Sequence, residues 1–291
     1  MPANDEKLKA TRRLRIFPLS GNKERSLDVL IPEVERAASL GANMYVEPFL
    51  GSGSLFLNIP EELFSTFALV EKNQQISSVW MMFQTMSFEQ FSTALDDARK
   101  EFGDIKDPES YRVLRDSVNN FDNENQDSNN FDIISFRNWL LFGSCLSSKP
   151  RWNPKHEFNQ SSGHRDFSKR CDRSWFDSIS SRVSQSNIFR GSWADYLEFF
   201  ETSSALIFLD PPYIARVQSS MGDWGEADLT ALLNRAESSS ARIILTDVET
   251  DFHRQILSNK WHKTEIRRMR SSGPNRLEEN TGMIECMWTN F

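Results

Sequence analysis

Read for hydrophobic and polar positions, the chain falls into two kinds of territory. In the first, short apolar runs are broken by glycine, proline or polar turns. NMYVEPF, residues 43–49, is such a run, and it breaks into LGSGS before apolar residues resume at Leu55, Phe56 and Leu57. That pattern predicts a strand, a glycine turn and a helix. TFALVE predicts a second strand ending at Glu71, and SNIFRG, ALIFLD, ARIILTD and IECMWTNF predict further strands toward the C-terminus. Helical spacing around 193–201 and 226–238 separates three of them. Between these regions the spacing is helical from about 74 to 118, through ISSVWMMFQTM and FEQFSTALDDARKEF, with Trp80, Phe83 and Phe88 at core-facing intervals. NNFDNENQDSNN, residues 119–130, predicts a polar loop; ISFRNWLLFGSCL predicts a helix; a basic Pro/Gly/Ser-rich segment runs to about 173. Strands alternating with helices at both ends predict a parallel α/β sheet. Residues 1–74 and 186–291 then form one α/β domain, and 75–185 are expected to be an insertion into it.

Composition changes this picture little. With 291 residues, 22 Phe and 8 Trp, a sizeable core is available. No apolar run approaches the ~20 residues of a membrane helix, and the N-terminus lacks a secretory apolar region. Three separated cysteines and four scattered histidines offer neither a disulfide framework nor a zinc site, which places the chain in a reducing cytoplasm without a metal.

Charge is more informative. The net −7 of the chain is matched by residues 89–132 alone, which hold twelve acids and five bases. The bases cluster elsewhere: seven in 7–25, seven in 149–173 and six in 260–276. Each cluster alone is an ordinary solvated face; together they suit a phosphate-bearing partner.

Two motifs carry chemistry. In Glu47-Pro48-Phe49-Leu50-Gly51-Ser52-Gly53, Gly51 and Gly53 follow a strand directly, where glycine lets backbone N–H groups approach a ligand. Twenty residues after Gly51, Glu71 ends the next strand, the place from which an acid can take both hydroxyls of a ribose. Phe56 stands at the third glycine position of the dinucleotide fingerprint. The stretch instead resembles the first motif of S-adenosylmethionine-dependent methyltransferases.

The second motif is Asp210-Pro211-Pro212-Tyr213, at the end of the strand ALIFL. It resembles the catalytic motif of DNA adenine amino-group methyltransferases. An exocyclic amine has its lone pair delocalised into the ring, so it needs acceptors for both N–H groups more than it needs a strong base. The Asp210 carboxylate and the Pro211 carbonyl, stiffened by Pro212, suit that task. Tyr213 offers a face for stacking a base that has left the duplex. Ahead of these motifs, Leu19-Ser20-Gly21-Asn22-Lys23 is similar to the aromatic-x-Gly-Gly-Lys motif of the Dam-like DNA adenine methyltransferases, with Leu19 at the aromatic position. Arg151-Trp152-Asn153, followed by Glu157-Phe158-Asn159 and Gly163, resembles that family's DNA-contacting hairpin.

The resemblance spans about residues 19–213. It implies a Rossmann-like sheet of seven mostly parallel strands with one antiparallel, carrying a helical, loop-rich inserted target-recognition domain. It implies site-specific methylation of adenine N6 in double-stranded DNA, with S-adenosyl-L-methionine as cofactor, base flipping, and a monomeric enzyme. Asp210, Pro211, Pro212 and Tyr213 are the implied catalytic residues. Leu19, Gly21, Lys23, Glu47, Phe49, Gly51, Gly53, Glu71 and Asp210 are the implied cofactor-binding residues. Arg151, Asn153, Asn159 and Arg165 are the implied DNA contacts. A cleft between the glycine turn and the diproline corner is expected. The alternatives are RNA adenine or cytosine N4 as target, and a silent SAM-binding regulator. Cytosine enzymes usually carry Ser where Asp210 stands, and the intact motif speaks against a regulator. Asp195 is expected to be structural or close to the cofactor, Asp247 to be a helix cap, His156 and His164 to be surface or phosphate contacts, and residues 271–280 to be a loop.

Overall fold

A computed structural model of the chain describes residues 13–19, 21–121, 128–146, 152–153, 155, 157–214, 224–269 and 283–291. Its centre is a seven-stranded sheet: β1 (Met44–Glu47), β2 (Thr66–Glu71), β3 (Ser186–Arg190), β4 (Ala205–Leu209), β5 (Arg242–Val248), β6 (His262–Met269) and β7 (Met283–Thr289). The spatial order is β3-β2-β1-β4-β5-β7-β6. β1 pairs parallel with β2 and β4, β2 with β3, and β4 with β5. β7 enters between β5 and β6 and runs antiparallel to both. The expected seven strands with one antiparallel are therefore present.

The strands alternate cleanly between two faces. Leu206 and Phe208 of β4 join one cluster of buried residues, together with Phe67, Leu69 and Ile244. Ala205, Ile207 and Leu209 join the other, with Val46, Ala68, Ile243 and Leu245. Period-two burial on both faces is what a sheet covered by helices on each side requires. The first face is covered by α1 (Leu27–Ser39), α2 (Gln74–Thr85), α3 (Phe88–Phe102), α5 (Ser128–Ser144) and α6 (Arg173–Ser184), with α4 (Pro108–Asn119) packed outside them. The second is covered by α7 (Trp193–Phe200), α8 (Glu226–Ser238) and α9 (Asp251–Ile256). The aromatic core of the inserted segment, built around Phe83, Phe91, Trp139, Trp175 and Phe176, is continuous with the first face of the sheet.

Two expectations are corrected. No regular helix follows the glycine turn; residues 51–59 run as successive turns into the 3-10 helix Glu61–Leu63. Asn58 exchanges hydrogen bonds with the backbone of Leu14 (2.8 Å each way), and Pro60 follows, so the segment is tied outward before a helix can propagate. The 260–276 base cluster contains a strand, β6, that patterning missed. Its residues His262–Glu265 are exposed at the sheet edge, where charge discourages pairing with another chain and hides the strand's alternation.

The turns after Gly53 are fixed by a buried cation. Arg182, 2 % exposed, donates to the carbonyls of Phe56 (3.0 Å) and Ile59 (2.8 Å). Its guanidinium also lies over the Phe56 and Phe67 rings, at 5.1 and 4.8 Å. Glu61 stands at 4.0 Å. Arg182→Met keeps the volume but leaves both carbonyls without a donor. At ~1–3 kcal/mol per orphaned buried acceptor, stability should fall by about 2–4 kcal/mol. A urea titration measures it; a loss under about 1 kcal/mol would contradict this account.

Candidate active site

β1 and β4 are neighbours, yet the chain leaves β1 toward β2 and β4 toward β5 on opposite sides. Such a switch point opens a crevice outside the carboxyl ends of the two strands. β1 delivers Phe49 to Gly53 to it, and β4 delivers Asp210.

β4 is buried along its whole length, so Asp210 is held where the strand ends rather than by its own solvation. Thr246 of β5 donates to Asp210 Oδ1 at 2.9 Å. Lys23, just before the short 3-10 helix Glu24–Ser26, reaches in from the N-terminal segment. It is 3 % exposed, and its Nζ stands 2.5 Å from both Asp210 carboxylate oxygens. The same ammonium donates to the Gly21 carbonyl at 3.2 Å and lies 3.4 Å from Glu285 of β7. The Tyr213 hydroxyl donates to Glu285 at 2.5 Å and approaches Asp210 at 3.3 Å, with Lys23 Nζ 5.1 Å from the centre of its ring.

One lysine thus faces several acids in a dry pocket. Burial raises the pKa of Asp210, against the opposing pull of Lys23. Burial pushes Glu47 to about 8, although it accepts a hydrogen bond from Tyr45 (2.7 Å); the charge of Asp210 adds to the rise. Asp247 is likewise pushed to about 8 by burial. Glu285 moves the other way. Burial would raise it, but Lys23, Tyr213 and Arg267 outweigh that and hold it below the usual range. At neutral pH Glu285 is therefore the ionised acid beside Lys23, with Glu47 and Asp247 largely protonated, while Asp210 is pulled up by burial and down by the ammonium it contacts.

The glycine turn is built beside this cluster. Gly53 has φ +58, and a Cβ there would lie 2.5 Å from the Trp80 ring, so only glycine fits. Trp80 Nε1 donates to the Gly51 carbonyl at 2.9 Å. Leu19 lies against Gly51, 3.2 Å from where a Cβ would stand, which brings the N-terminal motif onto the turn. Glu71, at the end of β2, accepts from the Gly51 N–H (2.8 Å) and the Asn73 N–H (2.7 Å), one on each oxygen. Burial raises it to about 7, with those hydrogen bonds opposing. Phe49 is half-buried, edge-on to Trp224 at 5.5 Å.

Where a cleft between the turn and the corner was expected, the Lys23 ammonium stands against Asp210. Two cavities among the described residues, of about 200 and 130 Å³, are lined by other residues. The donor set still suits a nucleoside with a cationic tail. Glu71 keeps acceptor positions beyond its two backbone donors, a Cβ on Gly21 would meet nothing within 4 Å, and the carboxylates favour a positive group.

The hairpin segment forms a narrow ladder, with bridges Trp152↔Phe158 and Cys145↔Ser162. Asn119 clamps it by donating to the Phe158 carbonyl (2.9 Å) and accepting from the Phe158 N–H (2.8 Å). Asn159 is exposed. Asn153 is occupied by the turn: it accepts from the Lys155 and Glu157 N–H groups and donates to the Glu157 carboxylate. Arg165 donates to the Cys145 carbonyl. Arg151 and His156, and the loop 271–280, lie outside the described residues.

Three residues of the cluster escaped sequence reading, Thr246, Arg267 and Glu285, and a fourth, Asp247, was expected to be a cap. The available signal was an acid embedded in an apolar strand, in IILTDVE and MIECMW. Asp247 is not a cap. Thr250 occupies the N-cap position of α9, while Asp247 accepts from the Val248 N–H at 2.6 Å and faces His253 at 3.5 Å. Burial lowers His253 to about 4, so it is neutral, stacked on Trp288. Asp195 closes the capping box of α7 and is structural.

A family model for the D12 class N6 adenine-specific DNA methyltransferases matches residues 20–270. No curated protein matches the chain in sequence. Among solved structures, the "Putative methyltransferase yhhF from Escherichia coli" aligns at 10% identity, over 91% of this chain and 84% of that one, with a TM-score of 0.35.

Glu71 supplies a pH test. Its folded pKa of about 7 lies above the ordinary 4.5, so between those values the native state binds the extra proton and stability falls as pH rises. Glu71→Gln removes that term. The stability of the wild type relative to the variant should therefore decline from pH 5 to pH 8 in thermal melts. Parallel curves would refute the shift.

Proposed function

The chain belongs to the D12 class N6 adenine-specific DNA methyltransferase family, and from that premise we propose that it methylates adenine N6 within a short, specific DNA sequence after the base leaves the duplex. The observation that carries the reading is the Asp210–Tyr213 corner, held at the switch point beside the glycine turn with the Lys23 ammonium at 2.5 Å.

Glu71 would hold the ribose of S-adenosyl-L-methionine. Leu19, Gly21, Phe49, Gly51 and Gly53 would line the rest of that site, with Glu47 and Lys23 toward its charged end. When bound, the cofactor offers a sulfonium methyl: the N6–CH3 bond forms as the S–CH3 bond breaks, and that electron pair returns to sulfur, leaving S-adenosylhomocysteine. Asp210 and the Pro211 carbonyl accept the two N–H groups of the amine, which localises the nitrogen lone pair and fixes its direction of attack. After transfer, nitrogen sheds one proton, which the Asp210 carboxylate would accept. Pro212 stiffens the corner, and Tyr213 presents its ring to the purine. Asn159, with Arg151, Asn153 and Arg165, would contact the duplex. Asn153 and Arg165 would first exchange their internal partners for DNA.

The test is incubation with labelled S-adenosylmethionine and either DNA or RNA, followed by identification and mapping of the modified base. N6-methyladenine at one repeated sequence in DNA is expected. Label confined to RNA, or to cytosine, would replace this reading with an alternative. Asp210→Asn keeps the shape of the side chain and should lower kcat by roughly 10²-fold or more while DNA is still bound; undiminished turnover would remove Asp210 from the chemistry. Glu71→Gln should weaken S-adenosylhomocysteine binding by about tenfold, measured by calorimetry.

A further inference from the structure

Asp210 is crowded before any substrate arrives. Its Oδ1 faces Lys23 Nζ at 2.5 Å, Thr246 at 2.9 Å and Tyr213 at 3.3 Å; its Oδ2 faces Lys23 again at 2.5 Å. A carboxylate has about four acceptor positions, and the lysine spans both oxygens. Tyr213 has a single hydroxyl proton and gives it to Glu285, so Lys23 and Thr246 take three of those positions, and an adenine amine must share the carboxylate with the ammonium that bridges it. Thr246 is fixed within β5, and Tyr213 is tied to Glu285 at 2.5 Å. Of the two donors that hold Asp210, Thr246 and Lys23, it is Lys23 that has a second carboxylate beside it, at 3.4 Å.

That carboxylate has room. Glu285 is 1 % exposed, and its Oε2 accepts no hydrogen bond. Arg267 Nε lies 2.8 Å from it but is not aligned for one, and is itself without a hydrogen-bond partner. Oε2 is thus held by the charge of Arg267 without a hydrogen bond, while Oε1, which accepts from Tyr213, is the oxygen 3.4 Å from Lys23 and keeps a second acceptor position. Moving the ammonium from Asp210 to Glu285 keeps its charge inside the same dry pocket. Sending it to solvent, or stripping its proton, would leave an uncompensated anion.

Resting on the function proposed above, we infer that Glu285 is the second seat of the Lys23 ammonium, and that transfer of Lys23 to it frees Asp210 to receive the target amine. Glu285 is thus a positioning residue. It acts on the reaction through Lys23, and its hold on the Tyr213 hydroxyl keeps the stacking ring in place while the exchange occurs. The strand that carries it, β7, is set between β5 and β6 so that Glu285 lies across from Val248 and Arg267, beyond the end of β4.

Two measurements test this. In a complex with S-adenosylhomocysteine and a duplex carrying the mapped adenine, Lys23 Nζ should be hydrogen-bonded to Glu285 and the adenine amine to Asp210. A lysine still spanning both Asp210 oxygens with the base in place would overturn the inference. In solution, Glu285→Gln keeps the shape and the acceptor for Tyr213 but removes the charge, whereas Glu285→Asp keeps the charge and shortens the reach. The Gln variant should lose about tenfold or more in kcat with S-adenosylhomocysteine affinity unchanged, and the Asp variant should retain more activity than Gln. A smaller loss for Gln, or Gln outperforming Asp, marks a role in shape alone and overturns the inference. Should the Gln variant not melt cooperatively, Glu285→Asp is compared with wild type: at least about a tenth of kcat retained supports the inference, and less overturns it. A wild-type protein that methylates no DNA adenine would sink the underlying function instead, so the two failures are distinguishable.

Discussion

The buried ion pair between Lys23 and Asp210 organises the functional end of this molecule. Joining residues 187 positions apart, it fastens the N-terminal segment to the end of β4. A pair of this kind adds little net stability, because desolvating both ions offsets most of their attraction; removing one partner alone leaves a buried charge and typically costs about 3–5 kcal/mol. Its value lies in geometry. The lysine sets where the carboxylate points, and the surrounding acids respond. Glu47 and Asp247 move toward protonation, while Glu285, closer to cations, stays ionised.

Around that pair the fold supplies rigidity at two removes. Trp80 fills the space a side chain on Gly53 would need and takes the Gly51 carbonyl. Arg182, from the far end of the inserted segment, ties down the turns that follow. Both belong to residues 75–185, the segment between the two parts of the sheet. They clamp the glycine turn from behind, through a core continuous with the first face of the sheet. A glycine turn held this way is pre-organised by packing together with hydrogen bonds from behind.

Sequence patterning located six of the seven strands, because period-two burial on two covered faces leaves apolar runs with sharp edges. It missed β6, whose exposed edge position calls for charge instead of alternation. It expected a helix after Gly53 from three apolar residues; those residues are buried, but Asn58 and Arg182 hold their backbone in turns. Lys23, Asp210 and Tyr213 were each legible within short motifs, and so was Glu71 at the end of its strand. Glu285 was not, since a single acid in MIECMW carries no pattern of its own.

The sequence alone determined what depends on neighbours a few residues away: strand and helix periodicity, the tight glycine turn, the stiff diproline corner, and the order of the motifs. Only the tertiary structure decided which of those pieces meet. Strand order brings β1 and β4 together at the switch point, and the antiparallel entry of β7 puts Glu285 within reach of Lys23 and Tyr213. The physical reason is that backbone preference and face alternation are local. Charge pairing in a dry interior instead depends on distances fixed by the whole sheet, and these make a lysine, two carboxylates and a tyrosine one chemical unit.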